Sequence, residues 1–118
     1  MVEQDIAEYI AEEASLVLGT DIFNENLASS KKEGISVLLN RKLQNFASFD
    51  FALIQILIFK HDYVVGNNLM TTITTLLNDY RGTDEWGTIN SVRSEHLGMD
   101  SANRNIFSIS VEIAYKEE

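Results

Sequence analysis

"FDFALIQILIFK", residues 49–60, is the stretch on which the reading of this chain turns. Side chains of a strand alternate between two faces. Here Phe51, Leu53, Leu57 and Phe59 fall on one face, and Ala52, Ile54, Ile56 and Ile58 fall on the other. Both faces are apolar, so both need cover. A strand of this kind is central in its sheet or is covered by a neighbouring chain. Neither this run nor any other apolar run reaches transmembrane length.

Upstream, "ISVLLN" at 35–40 reads as a second strand, and "RKLQNFAS" at 41–48 as the turn between the two. The connection before them, "GTDIFNENLASSKKEG" at 19–34, is rich in turn-formers, with Ile22, Phe23 and Leu27 to pin it to the core. Residues 2–18 have helical periodicity: Val2, Ile6, Tyr9, Ile10, Leu16 and Val17 share a face, and Asp5, Glu8 and Glu12 lie opposite. Gly19 is placed to cap that helix in a left-handed conformation.

Downstream, Asp62 is placed to cap a helix over roughly 63–81, which Gly82 ends. Its threonines favour a strand on propensity. Periodicity favours a helix, since Val65, Leu69, Ile73, Leu76 and Tyr80 fall within one arc, flanked by Met70 and Leu77. Gly66, in its first turn, suggests close backbone packing. A loop at 82–86, a weak strand at 87–97, a turn at 98–104 and a strand at 105–115 complete the chain. In the last, Phe107, Ile109, Val111, Ile113 and Tyr115 point one way and Ser108, Ser110 and Glu112 the other. The order helix-strand-strand-helix-strand-strand, with short links between strands, predicts an α+β fold. It is one domain, 1–118, with a single antiparallel sheet of about four strands and two helices packed on one face.

The formal charge of −9 is unevenly spread: residues 1–26 carry −7, residues 27–60 carry +3 and residues 61–118 carry −5. Tight nucleic-acid binding requires clustered Lys and Arg, so this balance argues against it. The acidic start lacks the positive charge of a secretory signal, and a soluble, non-secreted protein is expected. Without Cys there is no disulfide and no thiolate metal site. No HExxH, EF-hand or phosphate-binding glycine motif occurs. His61-Asp62 reads as a helix cap beside an exposed His rather than an oriented base, and Glu95-His96 reads likewise. Glu8 and Glu12 read as a solvated acidic face rather than a metal pair. Trp86, the one tryptophan, either anchors its own loop or marks a binding hot spot. No enzymatic constellation, cofactor site or metal site is expected.

Several stretches together carry a family resemblance: "IAEYIAEE" (6–13), "LVLGTDIF" (16–23), "ISVLL" (35–39), "ALIQILIFKHDY" (52–63) leading into the second helix, and "FSISVEIAY" (107–115). With the order of elements they resemble the small minor capsid and tail terminator proteins of long-tailed phages. The likeness spans nearly the whole chain but rests on pattern, without a short diagnostic motif. The chain departs from it at "LASSKKEG" (27–34) and "RKLQNFAS" (41–48), where many relatives have longer, proline-containing loops. The resemblance implies a non-enzymatic virion protein of the tail or neck, assembled in the host cytoplasm. Such a protein forms a homo-oligomeric ring, usually hexameric, on the head-proximal end of the tail tube. There it halts polymerisation of the tail tube protein and meets the head completion or connector protein, and DNA passes through without specific binding. No membrane is involved. Two alternatives stay open: a head-completion or stopper protein of the same neck, and a small-molecule-binding α+β domain with a pocket near Trp86 and His96.

A ring of identical subunits needs two different contact surfaces on each chain. The wet face of the second helix, "NNLMTTITTLLNDY" (67–80), is built of Asn and Thr, with Asp79 its one charge. Asn67, Thr71, Thr74, Thr75 and Asn78 suit burial against a neighbour, because no charge has to be desolvated. The same pattern also fits an exposed polar helix. Lys31, Lys32, Arg41 and Lys42 are expected in loops flanking the first strand, where they either steer docking to the tube or connector or are simply solvated. Asp5, Glu8 and Glu12 are the candidate channel-facing acids, repelling passing DNA.

Overall fold

The computed structural model describes residues 2–27, 30, 32–46, 49–80 and 88–115. Its elements are α1 (Val2–Glu13), β1 (Ile22–Phe23), β2 (Gly34–Phe46), β3 (Phe49–Lys60), α2 (Tyr63–Asn78), β4 (Thr88–Met99) and β5 (Asn105–Tyr115). The five strands form one sheet in the order β1-β2-β3-β5-β4. The stretch at 49–60 is thus the middle strand, paired antiparallel along its length to β2 on one side and β5 on the other.

The α+β class holds, with two corrections to the expected sheet: it has five strands, and it is mixed. β1, expected as plain connection, pairs parallel with β2 through Ile22↔Ile35 and Phe23↔Ser36. The pinning residues explain why. Ile22 and Leu27 are buried, Leu27 N–H donates to Ser36 Oγ, and Asn24 Nδ2 donates to Glu3 O and Val37 O. These contacts draw the connection against β2, where two residues complete a ladder. A further correction concerns 41–46, expected as a turn. These residues continue β2, so Arg41 pairs with Leu53 and Lys42 with Ala52. A register shift between Leu39 and Arg41 takes up the extra residue.

α1 stops at Glu13, short of the expected Leu18. The left-handed residue is Ser15 (φ 57°), and Leu16 N–H reaches back to Ala11 O at 2.8 Å, which closes a Schellman-type end. Beyond it the Asp21 carboxylate accepts Val17 N–H at 2.9 Å and Gly19 N–H donates to Ile22 O. That local bonding outcompetes another helical turn. Gly19 (φ 81°) serves this turn and does not cap the helix. Val17, placed in the apolar stripe by periodicity, is exposed as a result.

The core lies on one face of the sheet. Ala52, Ile54, Ile56 and Ile58 of β3 are buried there with Ile35 and Val37 of β2 and Phe107, Ile109, Val111 and Ile113 of β5. Ile6 and Ile10 of α1 and Ile73 and Leu77 of α2 cover them. The two helices touch through Tyr9, whose hydroxyl donates to Leu76 O and whose ring meets Tyr80 edge-on at 5.1 Å. On the opposite face Phe51, Leu53 and Leu57 are only half-buried. α2 begins as expected, with Val65 N–H donating to Asp62 Oδ1, and ends at Asn78. Val65 itself is exposed and not part of the core arc. β4 runs two residues longer at its end than the expected 87–97, and residue 87 lies outside the described residues. Gly82, the loop at 82–86 and Trp86 lie outside the described residues.

Gly66 lets α2 seat on the sheet. A Cβ there would collide with the buried Phe107 ring, its Cδ2 only 3.0 Å away. Replacing Gly66 with Ala gains up to about 1 kcal/mol of helix propensity. Overpacking against Phe107 costs about 1–3 kcal/mol, so net destabilisation is expected. Gly66→Ala should lower the thermal midpoint by several degrees, and a midpoint at or above wild type would show that α2 is free to shift.

Candidate functional site

α2 is the most distinctive surface element. None of its sixteen residues is charged, whereas solvent-facing helices ordinarily carry Lys and Glu. Val64, Asn68, Thr71, Thr72, Thr75 and Asn78 form its exposed stripe. Of the five residues expected at a contact, Thr71, Thr75 and Asn78 are exposed, and Asn67 and Thr74 are half-buried. Thr71 Oγ1 donates to Asn67 O, one turn back. Thr74 Oγ1 is buried without a hydrogen-bond partner, so that side chain faces into its own subunit.

The basic residues do not form one loop cluster. Lys32 is exposed, Arg41 and Lys42 lie within β2, and Lys31 is outside the described residues. Among the acids of α1, Glu8 and Glu12 are exposed and Asp5 is half-buried. Beside Glu8, between α1 and the following turn, is a cleft of about 330 Å³. Its apolar side is Leu18, Ile22 and Phe23, and Gln4, Glu8 and Glu25 contribute its polar side.

The two histidines are brought together in a way the local sequence does not disclose. His96 Nε2 lies 3.1 Å from Asn105 Oδ1, and Asn105 Nδ2 donates to the His61 carbonyl at 3.0 Å. An amide oxygen only accepts, so His96 Nε2 carries the proton. The His96 ring also meets Tyr63 edge-on at 5.1 Å and lies tilted against Phe107 at 4.8 Å. The side-chain bonds of this network are to an amide and a backbone carbonyl, while His61 N–H donates to Glu33 Oε1 at 2.8 Å, and together they tie the start of α2 to the end of β4 and the start of β5. A second cleft, about 220 Å³, lies on the sheet among Arg93, Ser94, Glu95, Ser108 and Ser110. No group of three or more His, Asp or Glu among the described residues is arranged to hold a metal ion.

The most elaborate polar cluster is the one centred on Arg104, in the stretch read only as a turn. Its side chain is 1% exposed. The guanidinium donates twice to Asp100 Oδ2, at 3.0 and 2.7 Å, and to the carbonyls of Leu27 and Lys32. It also lies 4.5 Å over the Phe59 ring. Asp100 Oδ1 accepts the N–H groups of Ala102 and Arg104. These bonds, led by the Arg104 side chain, hold the Asp100 carboxyl below its usual range. At the helix contact, burial and then the nearby Glu13 push the Tyr9 hydroxyl upward, so it stays protonated as a donor. Neither group is poised for proton transfer near neutrality.

The chain matches no protein-family model and no curated protein sequence.

Arg104→Ala removes the buried guanidinium's bonds to Asp100 and to the carbonyls of Leu27 and Lys32, and should cost about 3–5 kcal/mol. Arg104→Lys should recover only part of this, since an ammonium cannot span the fork. A depressed folded-state pKa contributes stability above the ordinary carboxylate range and loses it as pH falls through the folded value. The stability gap between wild type and Asp100→Asn, followed by denaturant titration, should hold from neutrality down to that range and close below it. A gap that widens on acidification would contradict the assignment.

Proposed function

We propose that the chain is a non-enzymatic building block, a tail-terminator-like virion protein whose copies close into a ring on the end of a tail tube. The observation that carries this reading is the exposed stripe of α2, uncharged from end to end. An exposed helix gains solubility from Lys and Glu, and a helix that must be buried against a neighbour gains from their absence. Asn and Thr can exchange hydrogen bonds across such a contact, so its core stays satisfied. The likeness of the chain's stretches to phage tail terminators supplies the kind of assembly. The charge layout supports it: the −7 of residues 1–26 presents Glu8 and Glu12 as a surface that repels DNA. Lys31, Lys32, Arg41 and Lys42 serve as the docking side toward the tube or connector.

Thr75 and Asn78 are the positions for the test, because both are exposed. Thr74 is unsuitable, since its hydroxyl is buried. Thr75→Lys combined with Asn78→Lys should leave the fold intact and abolish self-association in sedimentation. Tubes assembled with this variant should outgrow those assembled with wild type. Unchanged association would remove α2 from the contact, and wild-type protein that leaves tube length unrestricted would remove the terminator role. Reversing Lys31, Lys32, Arg41 and Lys42 to Glu should leave tube length controlled and impair joining to heads; normal joining would free these residues from the docking role.

A further inference from the structure

We infer that the sheet face turned away from the helices carries a binding site for a small zwitterion of the amino-acid type, held between Arg93 and Glu95. The inference is independent of the assembly proposed above, since the site uses no residue of α2 and none of the acids or bases assigned there. The register of the sheet defines the face. Val92, Ser94 and His96 of β4 pair with Val111, Ile109 and Phe107, which belong to the core. Arg93 and Glu95 alternate to the other face, with Arg93 opposite Ser110 and Glu95 opposite Ser108. The next strand, β3, places Gln55 beside Ser110 and Leu57 beside Ser108.

That face is covered at its β2 side. Ser36 pairs with Leu57 and is buried, with Leu27 N–H bonded to its hydroxyl. Arg104 holds the same connection through the carbonyls of Leu27 and Lys32 and lies over the Phe59 ring. Across the sheet, at the β4–β5 side, is the cleft of about 220 Å³ lined by Arg93, Ser94, Glu95, Ser108 and Ser110.

Two independent features make this cleft a site. Ser108 is only 5% exposed and lines it, and no described residue hydrogen-bonds its hydroxyl. A side chain buried to that degree ordinarily has a partner. Arg93 and Glu95 are exposed, opposite in sign and two positions apart on one strand. They form no ion pair with each other or with Glu112, which stands across from Ser91. A simple anion would be drawn to Arg93 and repelled by Glu95, and a simple cation the reverse. A molecule bearing both charges satisfies both. At one end its carboxylate takes the Arg93 guanidinium and the Ser110 hydroxyl as donors. At the other its ammonium donates to the Glu95 carboxylate and the Ser108 hydroxyl oxygen. Two residues along a strand span about 6.6 Å, so the ligand's charges lie a few bonds apart. The volume is that of about seven water molecules at roughly 30 Å³ each, which suits a small amino acid.

The test is a titration of isotope-labelled wild-type protein, followed by amide NMR, with each of the standard amino acids and, separately, with acetate and with methylammonium. At least one amino acid should give saturable shifts at residues 93–95 and 108–110. Acetate and methylammonium each lack one charged end and should bind about tenfold more weakly or worse. Arg93→Gln and Glu95→Gln, both at exposed positions, should leave the rest of the spectrum unchanged and weaken the amino acid by a similar factor. Acetate binding as tightly as the best amino acid would mean an anion site at Arg93 alone and would overturn the assignment. No saturable shift from any amino acid, or shifts only elsewhere in the chain, would mean that the cleft holds only water and would overturn it as well.

Discussion

Burial of one face of β3 organises this molecule. Ala52, Ile54, Ile56 and Ile58 are fully or almost fully shielded from water. Each buried branched side chain contributes on the order of 1.5–3 kcal/mol, and only a sheet with neighbours on both sides and helices above can shield all four. Direct pairing puts Ile58 beside Ile35 and Phe107, Ile56 beside Val37 and Ile109, and Ile54 beside Leu39 and Val111. A slip of one residue in either ladder would turn a whole apolar row away from the helices. Strand order and register therefore follow from the same requirement that places α1 and α2.

Arg104 ties the periphery to that centre. It is the largest fully buried side chain among the described residues, and its donors reach Leu27 and Lys32 in the connection and Asp100 in the β4–β5 turn. The guanidinium is satisfied on several sides at once, which is what makes a buried charge tolerable. The consequence is that Leu27 and Lys32, on the connection between β1 and β2, are tied to the β4–β5 turn.

With the core satisfied, the uncharged flank of α2 is surface left over from folding. No side chain among the described residues forms a reactive constellation with it. The titratable groups with shifted equilibria, Tyr9 and Asp100, hold helices and a turn together. The side-chain bonds of the histidine network likewise end on an amide and a backbone carbonyl. An uncharged helix flank is a surface whose covering desolvates no charge, which is the basis of the assembly reading.

Periodicity and local bonding were enough to identify both helices, the four long strands and the Asp62 cap, because each depends on residues near one another in the chain; the Phe107 ring that Gly66 makes room for lies on a distant strand. The all-apolar alternation of 49–60 left that strand either central or covered by a neighbouring chain, and the sheet order makes it central. α1 ends early for an equally local reason that periodicity does not register, the Asp21 carboxylate accepting the N–H of Val17 four residues back. Three features depended on contacts between distant segments. β1 exists because Leu27, Asn24 and Arg104 hold it against β2. Arg41 and Lys42 join a strand because β3 continues to offer partners opposite them. The Asn105 link between His61 and His96 arises only when β5 lies between β3 and β4. In each case the deciding partner is a hydrogen bond or a strand that no helical or strand period records, and it becomes available only once the chain has folded back on itself.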